Sequence, residues 1–151
     1  MIQRRQTLFL FELVFLAVAL LFIPSQHLRT GSIPAEIYLV PIDEPGLKST
    51  SGHIAAVGLN FLGIIISFTT IFLYKKRNLQ VKLSYSLSVI WVILSAMIAF
   101  CPFAEGADKS TGLETNYFAV AIGIFGILAG VLAARYIKKD IELLKSADRI
   151  R

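Results

Sequence analysis

Four side chains in this sequence are placed where a single group could matter chemically: Glu12, His27, His53 and Cys101. Glu12 interrupts the apolar run Thr7–Ile23, TLFLFELVFLAVALLFI. A charged side chain at the centre of a membrane-spanning helix costs about 2.5–3.5 kcal/mol on insertion scales, so an acid kept there marks an ion path or a buried polar contact. Two histidines at one level of a helical bundle can hold a haem. Here His27 falls in a connecting segment, so His53 is read as capping a helix or facing water. Cys101 is the one cysteine of the chain. It cannot close an intrachain disulfide and reads as a buried small apolar residue. The signatures G-x-x-x-x-G-K, H-E-x-x-H, C-x-x-C and G-x-S-x-G do not occur. The expectation is a protein without enzymatic activity, cofactor or metal.

The elements that position these residues follow from hydropathy. The chain has 151 residues, of which 56% are hydrophobic, and a mean hydropathy of +0.70. A soluble domain is nearer about 45–50% apolar. The excess lies in four blocks, at about 5–23, 53–74, 83–103 and 116–137. About 20 helical residues cross a hydrocarbon core about 30 Å thick, so each block is read as a transmembrane helix. The first, counted from Thr7, is 17 residues, and is taken to begin earlier with its arginines snorkelling. Its length and the lack of an A-x-A-like site argue against a cleaved signal peptide. The expected architecture is an all-α, single-domain, four-helix membrane bundle. Its outer connections are 24–52 and 104–115, and a charged helical tail occupies 138–151. Pro24, Pro34, Pro41 and Pro45 exclude a long helix from the first connection, but EIYLVPI (Glu36–Ile42) allows a short strand and should pack over the bundle mouth.

Charge sets the expected orientation. Of 15 Lys and Arg residues, twelve fall at the amino-terminal start, in 75–82, at the end of the fourth block (Arg135) or in the tail, and three (Arg29, Lys48 and Lys109) in the outer connections. Twelve against three places both termini in the cytoplasm by the positive-inside rule. The net charge of +5 is therefore a topology signal, and nucleic-acid binding, which needs a basic soluble face, is rejected.

Small and polar residues recur in steps of three and four. The second block has His53, Ala56, Asn60, Gly63, Ser67, Thr70 and Tyr74. The third has Ser84, Ser88, Trp91, Ser95 and Ala99. The fourth has Asn116, Ala119, Gly123, Gly126, Gly130 and Ala133. Such stripes face neighbouring helices, because small residues permit close approach in lipid, and the sustained alternation predicts left-handed packing. Trp91 is read as core packing. Glu12 lies five residues, about 7.5 Å, beyond Thr7. Thr70, Ser88 and Ala133 lie at the same depth on their helices. The sequence therefore predicts an interior polar cluster of Glu12, Ser67, Thr70 and Ser88. The rival reading turns Glu12 outward, towards a cation or hydroxyl of another protein.

The opening Met1-Ile2-Gln3-Arg4-x-Gln6, followed by four apolar blocks with a longer first outer connection, resembles the domain-of-unknown-function 4293 family of Bacteroidota membrane proteins. The resemblance implies a bacterial inner-membrane location and implies no activity. With it, the expected function is a structural or accessory subunit of a larger inner-membrane complex. The expected partners are the lipid bilayer and other membrane subunits or a second copy. The alternative is a small transporter or channel using Glu12 within the bundle.

Overall fold

The computed structural model describes residues 3–29, 35–40, 50–73, 76–104 and 112–148, with the backbone alone for 3–6, 147 and 148. The opening pair Met1-Ile2, Tyr74, most of the second outer connection and the last three residues of the tail lie outside them.

Four helices account for most of the described chain: α1 (Gln3–Phe22), α2 (Ser51–Phe72), α3 (Arg77–Phe100) and α4 (Tyr117–Asp148). Three of them, α2, α3 and α4, are long and apolar enough to cross a membrane. The apolar part of α1, Thr7–Phe22, is shorter. Both α1 and α3 stop two residues before a proline, Pro24 and Pro102, as expected where the ring removes the backbone donor and clashes with the preceding turn. The helix of the fourth block continues into the tail: α4 runs through to Asp148.

Beyond the sequence reading, the connections fold into a three-stranded antiparallel sheet. The strands are β1 (Pro24–Leu28), β2 (Ala35–Tyr38) and β3 (Leu113–Thr115), in the order β2-β1-β3. A register irregularity between Pro24 and Gln26 accommodates the proline at the strand start. Gly112, just before β3, has φ 86°. Its carbonyl accepts from the Arg29 N–H at 3.1 Å, and the positive φ is one that glycine alone adopts freely. Within Glu36–Ile42 the strand stops at Tyr38. Ile37 and Leu39 are buried and Val40 is exposed.

The helices alternate in direction. Each packs on two neighbours, α1 on α2 and α4, and α3 on α2 and α4, so that α1 and α3 are diagonal. The core is Leu10, Leu13, Ala17 and Leu20 of α1, Leu87, Trp91, Leu94 and Ile98 of α3, and the alanines and glycines of α4. The α3–α4 contact is the most extensive. A Cβ added at Gly126 would overlap the Trp91 ring, and one at Gly123 or Gly130 would overlap Ser95 or Ser88. Glycine at these places lets the two backbones approach, the usual device of helix pairs in lipid.

Candidate functional site

Each striped residue of α2 from His53 to Thr70 is buried: His53, Ala56, Asn60, Gly63, Ser67 and Thr70. So are Ser84, Ser88, Trp91 and Ser95 of α3, and Ala119, Gly123, Gly126, Gly130 and Ala133 of α4. Ala99 and Asn116 are half-buried. Asn116 serves instead as the cap of α4. Its Oδ1 accepts from Phe118 N–H at 3.0 Å, and its Nδ2 donates to the Pro24 carbonyl at 2.6 Å.

The interior cluster does not form around Glu12. That residue is exposed, on the side of α1 that also exposes Leu8, Phe11 and Phe15. The buried face of α1 runs Leu10, Leu13, Ala17, Leu20, and at 3.6 residues per turn Glu12 sits about 120° away from it. Ser88 is on α3, the helix diagonal to α1. The expected hydroxyl partners are bonded elsewhere. Thr70 Oγ1 donates to the Ile66 carbonyl at 2.6 Å and Ser88 Oγ to the Ser84 carbonyl at 3.2 Å. This i−4 back-bonding satisfies a buried hydroxyl within its own helix. Ser67 Oγ and the Asn60 amide are buried with no hydrogen-bond partner among the described residues. Glu12 likewise has no ion pair or hydrogen bond among them.

Where α3 ends, a polar interlock supplies what its helix geometry cannot. The last carbonyls of a helix lack intrahelical donors, and the group four residues after Ile98 is Pro102, which has no N–H. Gln26, on β1 and 1% exposed, reaches in. Its Nε2 donates to the carbonyls of Ile98 (3.1 Å) and Cys101 (2.6 Å), and its Oε1 accepts from Phe103 N–H (3.0 Å). Thr115 Oγ1 donates to the Ala99 carbonyl and Thr50 Oγ1 to the Pro102 carbonyl. Thr50 also caps α2 by accepting from His53 N–H at 3.2 Å. Cys101 is half-buried here. His53 neither caps nor meets water. It is buried, stacked on Phe103 with centroids 5.1 Å apart, and its Nε2 lies 2.9 Å and 3.1 Å from the carbonyls of Tyr38 and Leu39. Two carbonyl partners require the hydrogen on Nε2, so His53 ties β2 to the bundle. His27 is half-buried on β1, remote from that role.

At the opposite end Asp140 of α4, nearly buried, pairs with Arg77 of α3. Gln80 Nε2 donates to the Thr70 carbonyl at 3.1 Å, one of the last carbonyls of α2. Phe9 stacks on Tyr136, tying α1 to α4. The sequence signal for Asp140 was available: Ala133, Ile137, Asp140 and Leu144 continue the stripe of α4 in steps of four, three and four. Gln26 had no such signal, because its task depends on a proline far along the chain.

Among the described residues no group of three or more His, Cys, Asp or Glu side chains is arranged to hold a metal ion. The polar groups at both ends tie helices and strands to one another. The chain is thus a predominantly helical protein with three helices of membrane-spanning length, closed at one end by a small hydrogen-bonded sheet. It belongs to the family described as domain of unknown function (DUF4293), whose family model matches residues 2–150. No curated protein and no solved structure matches the chain.

Proposed function

We propose that the chain is a non-enzymatic integral protein of a bacterial inner membrane, an accessory subunit that docks on another membrane protein through the Glu12 face of α1. In this reading α1 is the fourth span of a left-handed bundle. Its helix begins at Gln3, four residues before the apolar part. The steps of three and four in the buried stripes support the left-handed packing. Both termini are cytoplasmic, supported by the distribution of Lys and Arg, with Arg29 at the sheet end and Lys76, Arg77 and Lys82 at the other.

The observation that carries the docking role is the exposed Glu12. It lies midway along α1, about 13–15 Å from either helix end, and is flanked by exposed Leu8, Phe11 and Phe15. A carboxyl at that depth facing hydrocarbon is costly, and nothing within the described chain offsets the cost. A neighbouring helix presenting a lysine, arginine or hydroxyl at the same level does so. A second copy meeting this face symmetrically would set two carboxyl groups together with no cation, so a different protein fits better. A transport role with Glu12 inside the bundle does not fit its exposed position.

The test uses the full chain in its native membrane with a photo-crosslinker placed at Phe15 or, as a control, at buried Leu13. One stoichiometric partner should be captured from Phe15, retained in Glu12→Gln and lost in Glu12→Lys. Equal capture from both positions, or a partner indifferent to Glu12→Lys, refutes the proposal.

A further inference from the structure

The α2–α3 turn and the far end of α4 enclose a groove of about 610 Å³ that the docking role does not use. Its cationic lining is Lys76, Lys82 and Lys145, with Arg77, and its apolar lining is Leu79, Ile141 and Leu144. The volume is that of a small-molecule site. Arg77 is engaged with Asp140. The three lysines are exposed and have no ion pair among the described residues, so the groove keeps a net positive charge. Asp140 is spent on Arg77, and Glu142 is not part of the lining.

The position of the groove defines its occupant. The apolar helix α2 ends at Phe72, and α3 begins at Arg77, so the groove lies at the level where these helices leave the hydrocarbon. The charged side chains sit beside Leu79 and Leu144, which are 43% and 44% exposed, too apolar for a purely aqueous site. A ligand that suits both halves has an anionic head and a hydrocarbon chain. We infer that this groove binds an anionic phospholipid, its phosphate among Lys76, Lys82 and Lys145 and the start of an acyl chain on Leu79, Ile141 and Leu144. Lysines at such a level reach the headgroup layer by extending their aliphatic stems along the apolar surface. The inference rests on the membrane placement proposed above and is independent of the Glu12 face.

The test uses the purified full chain in an uncharged detergent. Phosphatidylglycerol, phosphatidylcholine and inorganic phosphate are titrated separately, the melting midpoint is followed, and retained lipid is counted by native mass spectrometry. Phosphatidylglycerol should raise the midpoint with one molecule retained per chain, while the other two should have little effect. A basic side chain near an anionic surface contributes about fivefold in affinity. The double variant Lys82→Gln, Lys145→Gln should therefore weaken the response about twenty- to thirtyfold. The control Lys138→Gln, Lys139→Gln removes two exposed lysines of α4 outside the groove and should leave the response unchanged. Equal responses to phosphatidylglycerol and phosphatidylcholine, a response to inorganic phosphate alone, no response to phosphatidylglycerol, or equal losses in the two double variants each overturn the inference. A chain that stays soluble and monomeric without detergent fails the membrane placement instead, so the two failures are distinct.

Discussion

Replacing Gln26 with leucine removes one side chain and strands three backbone groups. The Ile98 carbonyl has no helical donor, because Pro102 stands where that donor would be, so the 3.1 Å bond from Gln26 Nε2 is its replacement. The Cys101 carbonyl and the Phe103 N–H lose their bonds in the same step. A buried polar group left without a partner costs about 1–3 kcal/mol. Cys101 is half-buried and can recover part of its loss, so the sum is about 3–5 kcal/mol. Leucine nearly conserves the volume, so little of this is a cavity effect. Glutamate is a stringent companion. It keeps an acceptor for Phe103 N–H but faces two carbonyl oxygens with a carboxylate, so Gln26→Glu should be at least as damaging as Gln26→Leu. The assay is reversible unfolding of the purified chain in mixed micelles, with helix content followed by circular dichroism as the denaturing detergent fraction rises. His27→Leu, on the adjacent half-buried position, is the control and should stay within about 0.5 kcal/mol. A Gln26→Leu protein equally close to the parent would refute the claim that Gln26 completes the end of α3.

Gly126→Ala should destabilise by about 1–3 kcal/mol through overlap with the Trp91 ring. A Trp91→Leu background should reduce that cost, and additive effects in a double-mutant cycle would count against the contact. Asp140→Ala should cost about 1–3 kcal/mol in the same unfolding assay, between the worth of an exposed pair and the loss from a buried one, with Asp140→Asn milder. His53→Phe keeps a ring to stack on Phe103 but loses the donor to Tyr38 and Leu39. Cleavage by chymotrypsin after Tyr38 should quicken about tenfold, the equivalent of one hydrogen bond of about 1.4 kcal/mol; unchanged cleavage would show that β2 is held by other contacts. Glu12→Leu should leave the isolated chain within about 0.5 kcal/mol or slightly stabilise it, and a loss above about 1 kcal/mol would mean that the carboxyl has an internal partner after all.

The helix faces were legible where composition gave contrast. On α2 the small and polar residues that recur in steps of three and four stand out against Leu, Ile and Phe, and the six of that stripe from His53 to Thr70 are buried. On α3 Ser84, Ser88, Ser95 and Trp91 mark the buried face, although Leu87, Leu94 and Ile98 share it unannounced. On α1 there is no contrast to read. Its buried face is Leu10, Leu13, Ala17 and Leu20, apolar residues among apolar residues. Glu12, the one charged residue within the apolar run, is expected inward from its depth alone, and it faces out. The sheet was only partly legible. Tyr38 and its neighbours have strand-forming character, but PSQHL has no clear alternation. It pairs because Gln26 is needed at the end of α3 and because β2 and β3 lie on either side of it.

Asp140 and Glu12 are both acids on apolar helices, and they resolve differently. Asp140 continues the buried stripe of α4, and Arg77 meets it there. A buried carboxylate is tolerated when a cation with good hydrogen-bond geometry comes with it. Glu12 has neither a place on the buried face of α1 nor a partner among the described residues. Among the described residues nothing offsets its cost, and exchanging it for leucine should cost the fold little. A feature that folding does not require, set among exposed phenylalanines on the helix with the shortest apolar stretch, is the observation on which the proposed docking face rests. In the proposed assembly a neighbouring helix would cover the phenylalanines and supply the donor, so that the shorter apolar stretch Thr7–Phe22 and the carboxyl would be accommodated together.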